Sequence, residues 1–280
     1  MEVVRSPVRM RMIAQKLRSS NQGVSLIPTS GNIHAGHLDL VRRAGELSNV
    51  VLVSILPVPA SLSTEGARGR PFLARDVERL APLRPAYLFA PDPADLMPPH
   101  FSAEVTLRPL CDRLYGALRP GHYTLKATLL TLLFNMISPH RVHLGEKDLQ
   151  ELALVRRLVR DLAYDIEIFT STTIREEDGV AAGAELQWLS HVERKAAGVL
   201  YRGLERAQVL FGAGERDTAS LLHSVREIIE GESMARVELL SVVDVESLDP
   251  ISLIDDRPVS VAGAIQIGEV RLIDHVWLNL

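Results

Sequence analysis

Apolar and polar residues alternate in blocks along the first two thirds of the chain. Residues 24–27 form a short apolar run and residues 50–56 a continuous, largely β-branched one, as expected of strands buried on both faces. Residues 38–44 and 73–83 repeat at helical spacing, and 86–90 read as another strand. Residues 129–137 are apolar at nearly every position inside a helix that starts near His122, which predicts a helix buried all round. A strand over 141–144, a helix over 149–162 and a strand over 166–171 follow. Such a βαβ series predicts an α/β fold, a parallel sheet with helices on both faces. The pattern changes near residue 175. Two helical stretches, 192–211 and 218–229, precede three strand candidates at 236–243, 258–265 and 270–278, which predicts a smaller C-terminal α+β domain. The expected division is 1–174 and 175–280. Residues 61–70, rich in small polar residues and with two glycines, read as a surface loop.

In an open parallel sheet, ligands bind beyond the carboxyl ends of the strands. Two strand-to-helix junctions there carry unusual chemistry. The first is Pro28-Thr29-Ser30-Gly31-Asn32-Ile33-His34-Ala35-Gly36-His37, where His34 and His37 share one face of a first helical turn. Imidazoles at a helix N-terminus, with its backbone N–H groups and positive dipole end, are suited to holding a phosphate. A pair of capping or surface histidines is the plainer alternative. The second is Gly145-Glu146-Lys147-Asp148. A lysine at a helix start has the wrong sign for the dipole, so it is either simply solvated or beside an anion; the two histidines on the same sheet edge favour the anion, while Asp148 equally fits a helix N-cap. Gly121-His122 opens the apolar helix and presents either a third imidazole or a structural one.

Bulk properties narrow the classes. With 280 residues the chain is long enough for two domains. A net charge of −4 argues against general nucleic-acid binding. Cys111 is the only cysteine, so no internal disulfide forms, which suits a reducing cytoplasm. No apolar run is long enough for a membrane span, and Met1-Glu2-Val3-Val4-Arg5 lacks the apolar core of a secretory signal. No metal-ligand spacing stands out.

At these residues the chain resembles the pantothenate synthetase family, ATP-dependent ligases that join pantoate to β-alanine. The family's P-T-M-G-x-L-H-x-G-H block is similar to the stretch from Pro28 to His37, and its V-S-I-F-V-N-P block to residues 53–59. Gly121-His122-Tyr123 resembles G-H-F, and Phe134-Asn135, Pro139 and Gly145-Glu146-Lys147-Asp148 resemble F-N-x-x-x-P followed by G-E-K-D. Thr173-Ile174-Arg175-Glu176-Glu177-Asp178-Gly179 is similar to T-x-R-E-x-D-G, and Arg271-Leu272-Ile273-Asp274 to R-L-I-D. The resemblance implies a Rossmann-like nucleotidyltransferase sheet, a C-terminal lid domain and a cytoplasmic homodimer. It implies use of Mg-ATP, a carboxylic acid and an amine, with formation of an acyl-adenylate. It gives His34, His37 and Lys147 phosphate contacts, and assigns Pro28, Thr29, Gly31, Gly36, Gly145, Asp148 and Arg175 to the nucleotide. Ser30, Ser61, His122 and Glu151 are assigned to the substrates.

The same blocks also depart from the family. Its methionine in the first block is Ser30, its asparagine before Pro59 is Val58, and its two acid-holding glutamines are Ser61 and Glu151. Leu62 replaces a phenylalanine, and Thr124-Leu125-Lys126 replaces R-G-V. The M-S-S-R-N loop that grips the phosphates is Ala182-Gly183-Ala184-Glu185-Leu186. Hydrogen bonds to charged groups are worth roughly 1.5–3 kcal/mol each, so three lost donors alter the site substantially. These changes predict a ligase of the same chemical class with an altered acid or amine. The alternative is a non-catalytic relative that binds a nucleotide or a partner.

Overall fold

The computed structural model describes residues 1–56 and 72–279. The elements, in chain order, are β1 (Glu2–Val4), α1 (Pro7–Ser19), β2 (Val24–Thr29), α2 (Ala35–Leu47), β3 (Val50–Ile55), α3 (Leu73–Leu80), β4 (Tyr87–Phe89), α4 (Pro93–Leu96), α5 (Tyr115–Leu118), α6 (His122–Ile137), β5 (Arg141–Gly145), α7 (Leu149–Asp161), β6 (Glu167–Ser171), α8 (His191–Ala196), α9 (Val199–Gly212), α10 (Thr218–Glu230), β7 (Ala235–Asp244), β8 (Val259–Ile267) and β9 (Val270–Asn279). They form two compact units. One holds residues 1–107, 121–146 and 154–172, and the other holds 108–120, 147–153 and 173–280.

The first unit contains a six-stranded sheet in the order β1-β4-β3-β2-β5-β6, parallel throughout the described pairs. Strand β3 carries Val, Leu or Ile at five of its six positions, and β2 and β3 are both buried along nearly their whole length, which is what two covering helix layers demand. Helix α2 lays Leu40, Val41 and Ala44 into a core with Ile27, Val53 and Leu88. Since β2 and β5 are adjacent and parallel, their carboxyl ends, Thr29 and Gly145, lie on the same edge of the sheet. The opposite edge is fastened by a buried polar chain. His143 Nε2 lies 2.9 Å from Ser25 Oγ, which lies 2.8 Å from Ser48 Oγ at the end of α2. Burial, seconded by Arg141, lowers the His143 pKa to about 4, so its ring is neutral at ordinary pH.

The second unit has a three-stranded antiparallel sheet, β7-β8-β9. Helices α9 and α10 pack on it through Leu200, Leu204, Leu221 and Val225 against Val261 and Ile265. Tyr115 of α5 donates its hydroxyl to the Gly263 and Asp274 carbonyls at 3.0 and 3.3 Å, tying that short helix to the sheet. No described helix is long and apolar enough to cross a membrane.

The mixed α/β architecture agrees with the periodicity, with several differences. The N-terminal β1 and α1 and the short α4 and α5 were not expected. The stretch over 192–211 is two helices, divided at Ala197 and Gly198, and α8 starts on a capping box between Ser190 and Glu193. Residues 81–83 form a separate 3₁₀ turn after α3 rather than its last turn. The expected loop over 61–70 lies outside the described residues, as do Val58, Ser61 and Leu62.

Candidate active site

The first junction is shaped by its backbone. After Thr29, Gly31 and Asn32 both take left-handed conformations, with φ of 90° and 51°. Glycine and asparagine are the residues that tolerate this region best. Thr29 Oγ1 donates to the Ser54 carbonyl at 2.8 Å and accepts the Gly31 N–H at 3.1 Å, anchoring the turn to β3. Ser30 stands exposed between them. The reversed turn sends two successive N–H groups inward, where Asp76 of α3 receives both. Its Oδ2 accepts from Asn32 N at 2.9 Å and its Oδ1 from Ile33 N at 2.7 Å. Arg79, one turn further along α3, donates to the Ile33 carbonyl. Asp76 is 2% exposed. Burial raises its pKa, opposed by the two N–H donors and by Arg79 and Arg75.

His34 emerges from this clamp with extended backbone and is the N-cap of α2, its Nδ1 accepting the Gly36 N–H at 3.2 Å. A Cβ on residue 36 would lie 3.1 Å from His34 Cε1, so glycine there leaves room for the ring to fold back over the helix start. The His34 and His37 rings are 4.0 Å apart, centroid to centroid, and both are half-buried. Two imidazoles thus lie side by side at a helix N-terminus, where the positive end of the helix dipole favours an anion. His34 is a capping residue and still a member of this pair.

At the second junction, Asp148 Oδ1 accepts the Glu151 N–H at 2.9 Å and so caps α7. Gly145 is exposed, and a Cβ there would meet nothing within 4 Å. The Lys147 ammonium lies 2.5 Å from Glu185 Oε1 and 3.3 Å from the Ala182 carbonyl. The anion expected beside this lysine is therefore a carboxylate of the chain itself. Arg175 also has an internal partner. Its guanidinium meets Asp274 in two bonds, at 2.6 and 3.1 Å, and stacks 4.1 Å over the Tyr201 ring. The Glu176–Gly179 turn that follows is closed by N–H bonds from Gly179 to Glu176 and from Glu176 to Val180, and Arg194 pairs with Glu176 and Asp178. His122 is half-buried at the first position of α6, its ring edge-on to Tyr123 at 5.0 Å. Glu151 is half-buried in the first turn of α7, next to Gln150. The fully buried Gln150 amide binds the Leu110 and Arg113 carbonyls, both at 2.7 Å, and holds this turn in place.

Sequence reasoning missed Asp76 and the Glu185 partner of Lys147. Asp76 had left a trace. Leu73, Val77 and Leu80 mark the inner face of α3, and position 76 lies on it.

The parallel sheet and its strand-to-helix junctions define an α/β nucleotidyltransferase-like fold. The profile of the pantoate-beta-alanine ligase family matches residues 2–277, and the chain belongs to that family. A pantothenate synthetase of Thermodesulfovibrio yellowstonii is 37% identical over 283 residues, covering 99% of each chain. One from Rhizobium meliloti is 36% identical over 260 residues, covering 92% of this chain and 89% of the other. A crystal structure of pantothenate synthetase from Thermus thermophilus superposes with a TM-score of 0.92 at 34% identity, covering 100% of both chains.

Proposed function

We propose that this chain is an ATP-dependent, AMP-forming carboxylate–amine ligase, with pantoate and β-alanine as its acid and amine. Family membership along nearly the full length supports the reaction class. The observation that carries the reading to particular residues is the clamped histidine pair at the start of α2. In the proposed first step, the acid's carboxylate oxygen attacks the α-phosphorus of ATP. The bond to the bridging oxygen breaks, and pyrophosphate leaves with its electron pair. His34 and His37 donate to phosphate oxygens as charge builds on them, and Lys147 neutralises part of that charge. In the second step the neutral amine attacks the acyl carbon. AMP departs, and the amine's proton passes to solvent.

Among the described residues, no three His, Cys, Asp or Glu side chains converge as metal ligands. Mg2+ in this reading is held by the nucleotide's phosphates, and no step is assigned to it. The proposal extends to a homodimer in the cytoplasm, and sedimentation of the purified protein tests the dimer.

A second reading, a different acid, has its own support. Glu151 and Glu185 add carboxylates where the family resemblance places a glutamine and an arginine. ATP–pyrophosphate exchange against a panel of acids, pantoate first, decides between the readings. Exchange with pantoate supports the family pair, and exchange only with another acid supports the second. No exchange with any acid overturns the ligase proposal and favours a non-catalytic relative.

A further inference from the structure

The ion pair on Lys147 is built into its surroundings. The two side chains are 20% and 24% exposed, so the pair is only partly screened by water. With Glu185 and the Ala182 carbonyl in place, two of the three ammonium donors are already used. Gly183 makes the arrangement possible. Its φ is −162°, an extended conformation open to any residue, so backbone freedom does not explain the glycine. Space does, because a Cβ on residue 183 would run into Lys147 Nζ and both Glu185 carboxylate oxygens. Beside the pair lies a cavity of only about 10 Å³, lined among others by Val180, Leu200, Tyr201 and Leu272. That is room for about one water. The glycine at 183 and the glutamate at 185 therefore act together: the first clears the ground on which the second meets the lysine.

From this geometry we infer that Glu185 is a specificity-determining residue, a built-in competitor for the anion that Lys147 receives. A phosphate chain and the carboxylate cannot occupy the same donors, and their like charges repel at this range. A phosphate on the remaining donor would lie against the Glu185 carboxylate, so it binds at Lys147 in competition with Glu185. A neutral or weakly charged group leaves the pair closed. The site thus admits ligands by the density of their negative charge, and a polyphosphate opens it most readily. This inference rests on the proposed phosphate role of Lys147.

Calorimetric titration of the full chain with inorganic tripolyphosphate, repeated with ATP, tests it. The isosteric Glu185→Gln variant is expected to bind tripolyphosphate about tenfold more tightly than the native protein. The gain disappears when the same change is made in a Lys147→Ala background. Gly183→Ala, which keeps both charges but forces them apart, shifts affinity in the same direction. Equal or weaker binding by Glu185→Gln overturns the inference, as does a gain that survives without Lys147. The two levels of the account fail separately. If Lys147→Ala weakens binding while Glu185→Gln changes nothing, only the competitor role is lost. If Lys147→Ala has no effect in the Glu185→Gln background, the phosphate role of the lysine is lost as well.

Discussion

Replacing Asp76 with asparagine tests the clamp that presents the histidine pair. The carboxylate gives one oxygen to the Asn32 N–H and the other to the Ile33 N–H, at 2.9 and 2.7 Å, in a site that is 2% exposed. Asparagine has the same shape but only one acceptor oxygen, so its amide nitrogen faces the second N–H donor to donor. A buried donor left unsatisfied costs about 1–3 kcal/mol. Hydrogen bonds to a charged acceptor exceed neutral ones, which adds to the loss, and relief of the buried charge offsets part of it. The net expectation is a loss of about 2 kcal/mol, read as a lower urea midpoint at unchanged slope. The functional effect is larger than that figure alone implies. His34 follows the clamped turn directly, and a displacement of about 1 Å at a reacting centre can cost roughly 100-fold in rate. ATP–pyrophosphate exchange should fall by about that factor while the protein remains folded by circular dichroism. A variant within about 0.5 kcal/mol of native stability and within about twofold of native exchange would refute the assigned role.

Other expectations follow from the same geometry. His143 is held neutral, its folded pKa near 4 lying below the ordinary 6.5. The unfolded chain therefore binds the extra proton first, and stability is complete above pH 6.5 and lost as pH falls toward 4. The loss is on the order of 2 kcal/mol after allowance for solvent screening, and His143→Gln should flatten that part of a urea-stability profile against pH. Asp274→Asn leaves the Arg175 guanidinium facing a neutral amide in place of a two-bond partner, and chemical denaturation should show a loss of about 3 kcal/mol. Gly179→Ala places a methyl group against the Tyr201 ring at a φ of 85°. A drop in melting temperature equivalent to about 2 kcal/mol or more is expected.

Much of the parallel sheet was legible because its central strands are buried on both faces. Runs such as Val50–Ile55 leave little ambiguity, and the mostly apolar stretch 129–137 of α6 announces a largely buried helix. The three-residue β1 carries too few positions for a period to show. Helix α1 has only Met10, Ala14 and Leu17 buried among arginines, lysine and glutamine, which leaves a weak apolar stripe. The histidines and Lys147 were legible because the motifs are local and sit at predicted junctions. Asp76 and Glu185 were not, because each acts across a long separation: Asp76 lies 43 and 44 residues from the amides it binds, and Glu185 lies 38 from Lys147. The resemblance assigns Arg175 to the nucleotide, and only tertiary packing reveals its partner Asp274.

In the proposed reaction the clamped imidazoles and Lys147 carry the adenylate chemistry. Incubating the chain with ATP, pantoate and β-alanine, and counting amide and AMP by mass spectrometry, tests it most directly. Equal amounts of both products are expected, falling by about 100-fold or more in His37→Ala and in Lys147→Ala. AMP without amide, product formation indifferent to both substitutions, or no product with any acid and amine would contradict it.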